Sequence, residues 1–169
     1  MSLRFRNLDV SPDAPVSAWP TEGVIAAIER GHLGDWRRLS AAVRADPWGP
    51  VARRLEDALA VCQPYGTAVL LRRALGRARA AAEAHERAEV ARRVRELLDA
   101  SGLSRTDFAE AIGTSASRLS TYLNGRVAPS STLLVRMERV ANAGQQRADS
   151  VVAAASQSRA GRTRRPVRR

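Results

Sequence analysis

The 169 residues carry 28 basic side chains, all of them arginine, against 17 acids, for a net charge of +11 at pH 7; 44% of residues are hydrophobic and only 4% aromatic. That composition fits one or two small soluble domains with cores of Ala, Val and Leu, and predicts an all-α fold of closely packed helices. It argues against a disulfide scaffold, since Cys62 has no partner in the chain, and against a membrane protein, since no run of eighteen apolar residues occurs and the N-terminus lacks a signal-peptide core. A cytoplasmic, nucleoid-associated protein is expected.

Residues 1–19 contain Pro12 and Pro15 among short polar residues and show no sustained period. They read as a largely extended arm, loosely ordered by default, although the near-alternation of Leu3, Phe5, Leu8 and Val10 would let it dock as a strip on the helices or on a partner. Residues 20–88 read as an N-terminal helical module. Thr21 opens a short capped helix that ends at Gly31, and a second runs from Leu33 or Gly34 to Asp46 with Trp36, Leu39, Ala42 and Val43 on its apolar face. After D-P-W-G-P, Pro50 leads a third helix to about Gln63, with Val51, Leu55, Ala58, Leu59 and Cys62 inward. Trp36 and Trp48 lie in apolar helix or turn contexts and read as core or hinge-packing residues, not as stacking platforms for bases. His32 and His85 are isolated surface or capping residues. With no second cysteine and no clustered carboxylates, neither a metal site, a cofactor nor a catalytic nucleophile is supported.

From Gly66 or Thr67 the chain runs to Gly102 without proline, through strong helix formers interrupted only by Gly76. Two arrangements remain open: one rod of about 50 Å at the standard rise, or two helices bent near His85 to Ala88. If continuous, the rod would let the first module orient the second, and a dimer made there would fix half-site spacing; the alternative is merely a linker helix with a solvated arginine face.

The stretch from Ser104 to Asn124 reads as two short helices crossing at a tight turn. Its apolar side chains fall at Phe108, Ala109 and Ile112, then at Leu119, Tyr122 and Leu123, a helical period broken once at Gly113 and resumed on a new axis. A left-handed glycine there closes the first helix, and the small Ala109 lets the second cross closely. Ser104 and Asp107 form a capping box for the first helix, and Ser115 caps the second. The second helix turns Ala116, Ser117, Arg118, Ser120 and Thr121 to solvent, and no carboxylate occurs between Ser115 and Pro129. Such a face suits the floor of a DNA major groove, where arginine reads guanine and hydroxyls or methyls read what lies beside it. A solvated helix in an ordinary bundle is the alternative.

The run from Glu89 to Ala143, about a third of the chain, resembles the Cro and phage-repressor (XRE-type) helix-turn-helix family. The resemblance rests on a preceding helix, Val90 to Ala100, then D-F-A-E-A-I-G-T-S, S-R-L-S-T-Y-L-N-G-R and the proline-led P-S-S-T-L-L-V-R-M. It implies a lambda-repressor-like bundle of four or five helices over residues 89–143, with residues 115–124 as the recognition helix in the major groove of double-stranded DNA. Base readout falls to Ser115, Ala116, Ser117, Arg118 and Thr121, and phosphate contacts to Arg105, Ser120, Asn124, Arg126 and Ser130. Family members often present Gln where Ala116 and Ser117 stand, so readout is expected to lean on Arg118 and Thr121. For Arg126 a solvated turn is the competing role.

Residues 144–169 read as a disordered basic tail, because the end S-Q-S-R-A-G-R-T-R-R-P-V-R-R has too little apolar content to fold alone. Residues 149–169 hold six arginines against one acid, or +5 of the +11. The tail would track phosphates or enter a minor groove, or would simply raise solubility. The expected function is that of a bacterial or phage transcriptional regulator, non-enzymatic, binding a specific DNA site as a homodimer. The alternative is an antitoxin or adaptor whose residues 20–88 bind a partner protein and whose DNA binding is autoregulatory.

Overall fold

The computed structural model describes residues 3–162, and side chains through residue 155. Among the described residues the fold is all-helical: α1 (Thr21–Arg30), α2 (Leu33–Ala45), α3 (Pro50–Val61), α4 (Thr67–Ser101), α5 (Arg105–Ala111), α6 (Ala116–Leu123) and α7 (Ser131–Arg162). A short 3-10 helix, Val16–Ala18, precedes them. Two compact units divide the chain, Met1–Ala84 and His85–Arg169, and α4 contributes residues to both.

In the first unit the apolar stripes of α1, α2 and α3 converge on Val24, Ala27, Leu39, Val43, Leu55 and Ala58, all fully buried, and α4 closes the core with Leu71 and Leu75. The centre of that core includes Trp19, which is inaccessible to solvent, meets Phe5 edge to face at 5.4 Å between ring centroids and lies 4.8 Å under the Arg38 guanidinium. The arm is therefore docked, which corrects the expectation of a loosely ordered terminus. Leu3 and Val16 are buried, and arginines fasten the intervening carbonyls: Arg38 donates to Pro12 at 2.7 Å, and Arg54 donates to Ser17 at 2.8 Å and Trp19 at 3.1 Å. These charge-assisted bonds satisfy backbone that has no ladder or helix partner.

The two other tryptophans differ from each other. Trp36 is half-buried and its indole N–H donates to the Ala27 carbonyl at 2.9 Å. Trp48 is 46% exposed, so it is not a core residue; it forms the turn before α3 and is covered by Arg79, whose guanidinium carbon lies 4.8 Å from the ring centroid. α1 begins at Thr21, but Pro20 stands at its N-cap and the Thr21 side chain does not cap it. His32 stands at the N-cap of α2, and its backbone N–H donates to the Asp35 carboxylate at 3.2 Å. Of the two arrangements open for residues 67–101, the single helix is found. Gly76 lies within it with nothing near its Cα side, so good helix formers on either side carry the backbone through.

In the second unit Val94, Leu97 and Leu98 of α4 pack with Phe108, Ala109, Ile112, Leu119, Tyr122, Leu123, Met137 and Ala141. α7 departs from expectation. It does not stop at Ala143 but continues to Arg162, so residues 144–162 are helical and not a disordered tail. Gly144, the first residue of the tail reading, is buried inside the helix, where a Cβ would lie 2.3 Å from the Ser101 carbonyl oxygen at the end of α4. Beyond it, Arg147 donates to the Ala143 carbonyl at 3.0 Å and Ser150 to the Gln146 carbonyl at 2.8 Å, both along the helix's own turns. The basic residues of 163–169, the rest of that tail reading, lie outside the described residues.

Candidate nucleic-acid interface

α5 and α6 are short, and their geometry is set by their ends. Ser104 caps α5, accepting from the Asp107 N–H at 3.2 Å, while its hydroxyl donates to the Asp107 carboxylate at 2.7 Å. The box differs from the expected one in that the carboxylate takes the hydroxyl proton and not the cap's backbone N–H. At the other end Gly113 has φ +75°, its N–H donates to the Glu110 carbonyl at 3.0 Å, and the Thr114 N–H reaches the Ala109 carbonyl at 2.9 Å. This pair of bonds is a Schellman motif, which satisfies the last carbonyls and turns the chain sharply into α6.

α6 repeats the design. Ser115 caps it, accepting from the Arg118 N–H at 3.2 Å, and Gly125 at φ +66° closes it, with bonds from Gly125 to the Tyr122 carbonyl at 3.0 Å and from Arg126 to the Thr121 carbonyl at 3.0 Å. Leu119, Tyr122 and Leu123 are buried against the core. One further side chain holds the helix from behind: Arg95 of α4 donates to the Leu123 carbonyl at 2.6 Å, placing a cation at the negative end of the helix dipole. Nothing in the motif pointed to Arg95, because the contact joins residues 28 apart.

The outward face of α6 consists of Ala116, Ser117, Arg118 and Ser120, all exposed, with Ser115 exposed at its start. Thr121 is different. It is half-buried, and its hydroxyl donates to the Arg118 carbonyl at 2.7 Å, so it retains only acceptor capacity and its methyl group for any ligand. Asn124 is exposed at the C-cap and its amide reaches the Ser120 hydroxyl at 3.4 Å. Ser130 caps α7, accepting from the Leu133 N–H at 3.3 Å. Arg105, at the first position of α5, and Arg126, after α6, are both exposed.

A groove of about 490 Å³ opens between the α5–α6 turn, α6 and the start of α7, lined on its polar side by Thr114, Arg118, Ser130, Thr132 and Arg136. Arg136 was not among the expected contacts; it approaches the turn so closely that a Cβ on Gly113 would sit 3.6 Å from its Nη1. The guanidinium groups of Arg105, Arg118, Arg126 and Arg136 are exposed and make no hydrogen bond or ion pair among the described residues. Arg118 and Arg136 thus stand as uncommitted cations on the groove, while Arg105 and Arg126 are uncommitted at the start of α5 and after α6. Among the described residues no cluster of His, Cys, Asp and Glu forms a metal site, and no helix is long and apolar enough to cross a membrane.

No curated protein and no solved structure matches the chain. A family model described as a helix-turn-helix domain matches residues 89–151, a range that takes in α5, α6, most of the α4 segment packed on them and the first two-thirds of α7. Caps, Schellman turns and buried face agree with that match, and residues 89–151 are a helix-turn-helix domain of a kind consistent with the Cro and phage-repressor type.

Proposed function

We propose that the protein is a sequence-specific DNA-binding regulator of transcription, of bacterial or phage type, which acts by docking and without catalysis. The observation that carries this reading is the surface of α6, where Ala116, Ser117, Arg118 and Ser120 are exposed and the unpaired Arg118 and Arg136 line one groove, with no carboxylate between Ser115 and Pro129. Such a surface is attractive to a polyanion and narrow enough to enter a major groove. Arg118 and Ser117 reach base edges, with Ser115, Ala116 and the Thr121 methyl beside them. Arg105, Ser120, Asn124, Arg126, Ser130 and Arg136 hold phosphates and fix register. A homodimer would place two α6 helices on successive major-groove faces.

Selection of bound sites from random duplex DNA tests the reading, and a recovered inverted repeat would report the dimer. On the recovered site, Arg118→Ala is expected to cost about 1–3 kcal/mol and to relax preference at one base position, whereas Arg126→Ala weakens all sequences alike. Equal loss from both variants on every sequence would contradict the division between readers and holders.

A further inference from the structure

A second groove, within the first unit, has a different character. It lies between one stripe of α2 and one stripe of the first turns of α4, with a volume of about 300 Å³. Leu33 and Leu70 on its walls are 55% and 57% exposed, beside the half-buried Trp36, so a continuous apolar strip faces water. Arg37, Arg44 and Arg77 also line it; their guanidinium groups are exposed and make no hydrogen bond or ion pair among the described residues, and no carboxylate lines the groove. Several other arginines of the unit are committed: Arg38, Arg54 and Arg72 to backbone carbonyls, Arg79 to Glu56. Arg37, Arg44 and Arg77 stand where apolar side chains are uncovered.

We propose that this groove docks an acidic amphipathic helix of a partner protein, with apolar side chains seated on Leu33, Trp36 and Leu70 and carboxylates paired to Arg37, Arg44 and Arg77. Charge selects the occupant. A second copy of this chain brings a net charge of +11, and its own end, G-R-T-R-R-P-V-R-R, is basic, so both are repelled by the three arginines. Duplex DNA would satisfy the arginines but leave the leucines in water. A small alkyl carboxylate would cover the leucines but neutralise only one cation. Arg37 and Arg44 stand two helical turns apart on α2, about 10 Å, the interval at which a partner helix presents side chains at i and i+7. The inference goes beyond the DNA reading and uses none of its residues.

The test is selection on the full chain from a displayed library of random peptides of about sixteen residues, repeated with R37A/R44A/R77A, whose three sites are exposed and whose folding is checked by circular dichroism. Recovered peptides are expected to carry Leu, Ile or Phe at helical spacing with Asp or Glu beside them. Their affinity should fall about tenfold or more in the triple variant and in Leu70→Glu, and should weaken between about 50 and about 300 mM salt. The triple variant should keep its affinity for the selected DNA site, and Arg118→Ala should keep the peptide. Recovery of no peptide that depends on the groove, or of neutral or basic peptides only, overturns the proposal. So does dodecanoate binding at the groove without any recovered peptide, or a loss of DNA affinity in the triple variant without peptide binding in the wild type. Failure to recover a DNA site while the peptide result stands would sink the regulator reading alone.

Discussion

At Glu56 both carboxylate oxygens accept from Arg79, at 2.9 and 2.8 Å, and this hydrogen-bonded cation holds the Glu56 pKa below the usual carboxylate range. A carboxylate whose folded pKa is depressed contributes stability that is present above its unfolded pKa and lost as pH falls through the folded value. Glu56→Gln should therefore flatten the acid side of the stability profile: its urea midpoint should change less than that of the wild type between about pH 6 and about pH 3. The pair is exposed, so the difference should be small and should shrink with salt. Thr121 carries a second prediction. Because its hydroxyl is already donated to the Arg118 carbonyl, Thr121→Val should cost DNA affinity less than Arg118→Ala does, under about 1 kcal/mol in a titration on the selected site. A helical period places Thr121 on the rim of the exposed face but is blind to a hydroxyl folded back on its own helix. Arg118, by contrast, was legible, since no carboxylate lay within a turn of it and the apolar period assigns the inward positions to Leu119, Tyr122 and Leu123.

Two glycines inside long helices make opposite demands on their elements. In α4, an added Cβ at Gly76 meets nothing within 4 Å, so Gly76→Ala should follow helix propensity alone and stabilise by about 0.5–1 kcal/mol. In α7, a Cβ at Gly144 would lie 2.3 Å from the Ser101 carbonyl oxygen, which is backbone and cannot swing aside. The propensity gain is then outweighed by a forced separation of the two helices, and Gly144→Ala should destabilise by about 1–3 kcal/mol. Urea denaturation of both variants reads the two signs directly. Helix α7 runs past its expected end because a polar, basic composition reads as a tail even where good helix formers carry the backbone on, while the first three helices were legible within a residue or two. The boundaries of α2 and α3 are written in Gly, Pro and apolar period; residues 144–162 offer no apolar stripe of that kind. Trp19 was hidden for a related reason, because a short segment held by arginine bonds to its carbonyls has no period to read.

Across the whole molecule, the excess of arginine does not act as a uniform positive cloud. Two sets of unpaired guanidinium groups have different surroundings: Arg118 and Arg136 on the groove beside hydroxyl-rich α6, with Arg105 and Arg126 on its flanking segments, and Arg37, Arg44 and Arg77 beside exposed leucines. Net charge draws a polyanion to either, but only a cation that displaces condensed counterions at a phosphate enters the salt dependence of binding, at about 0.9 per contact for duplex DNA. Removing Arg105, Arg126 or Arg136 singly should thus lower the slope of log Kd against log salt concentration by about one each, on specific and random duplexes alike. R37A/R44A/R77A lowers net charge by three, more than any of those single changes, and should nevertheless leave the slope where it was. If the slope instead tracks total charge, falling by about three in that triple variant, the arginines act together as a diffuse field and no arrangement around α6 distinguishes them.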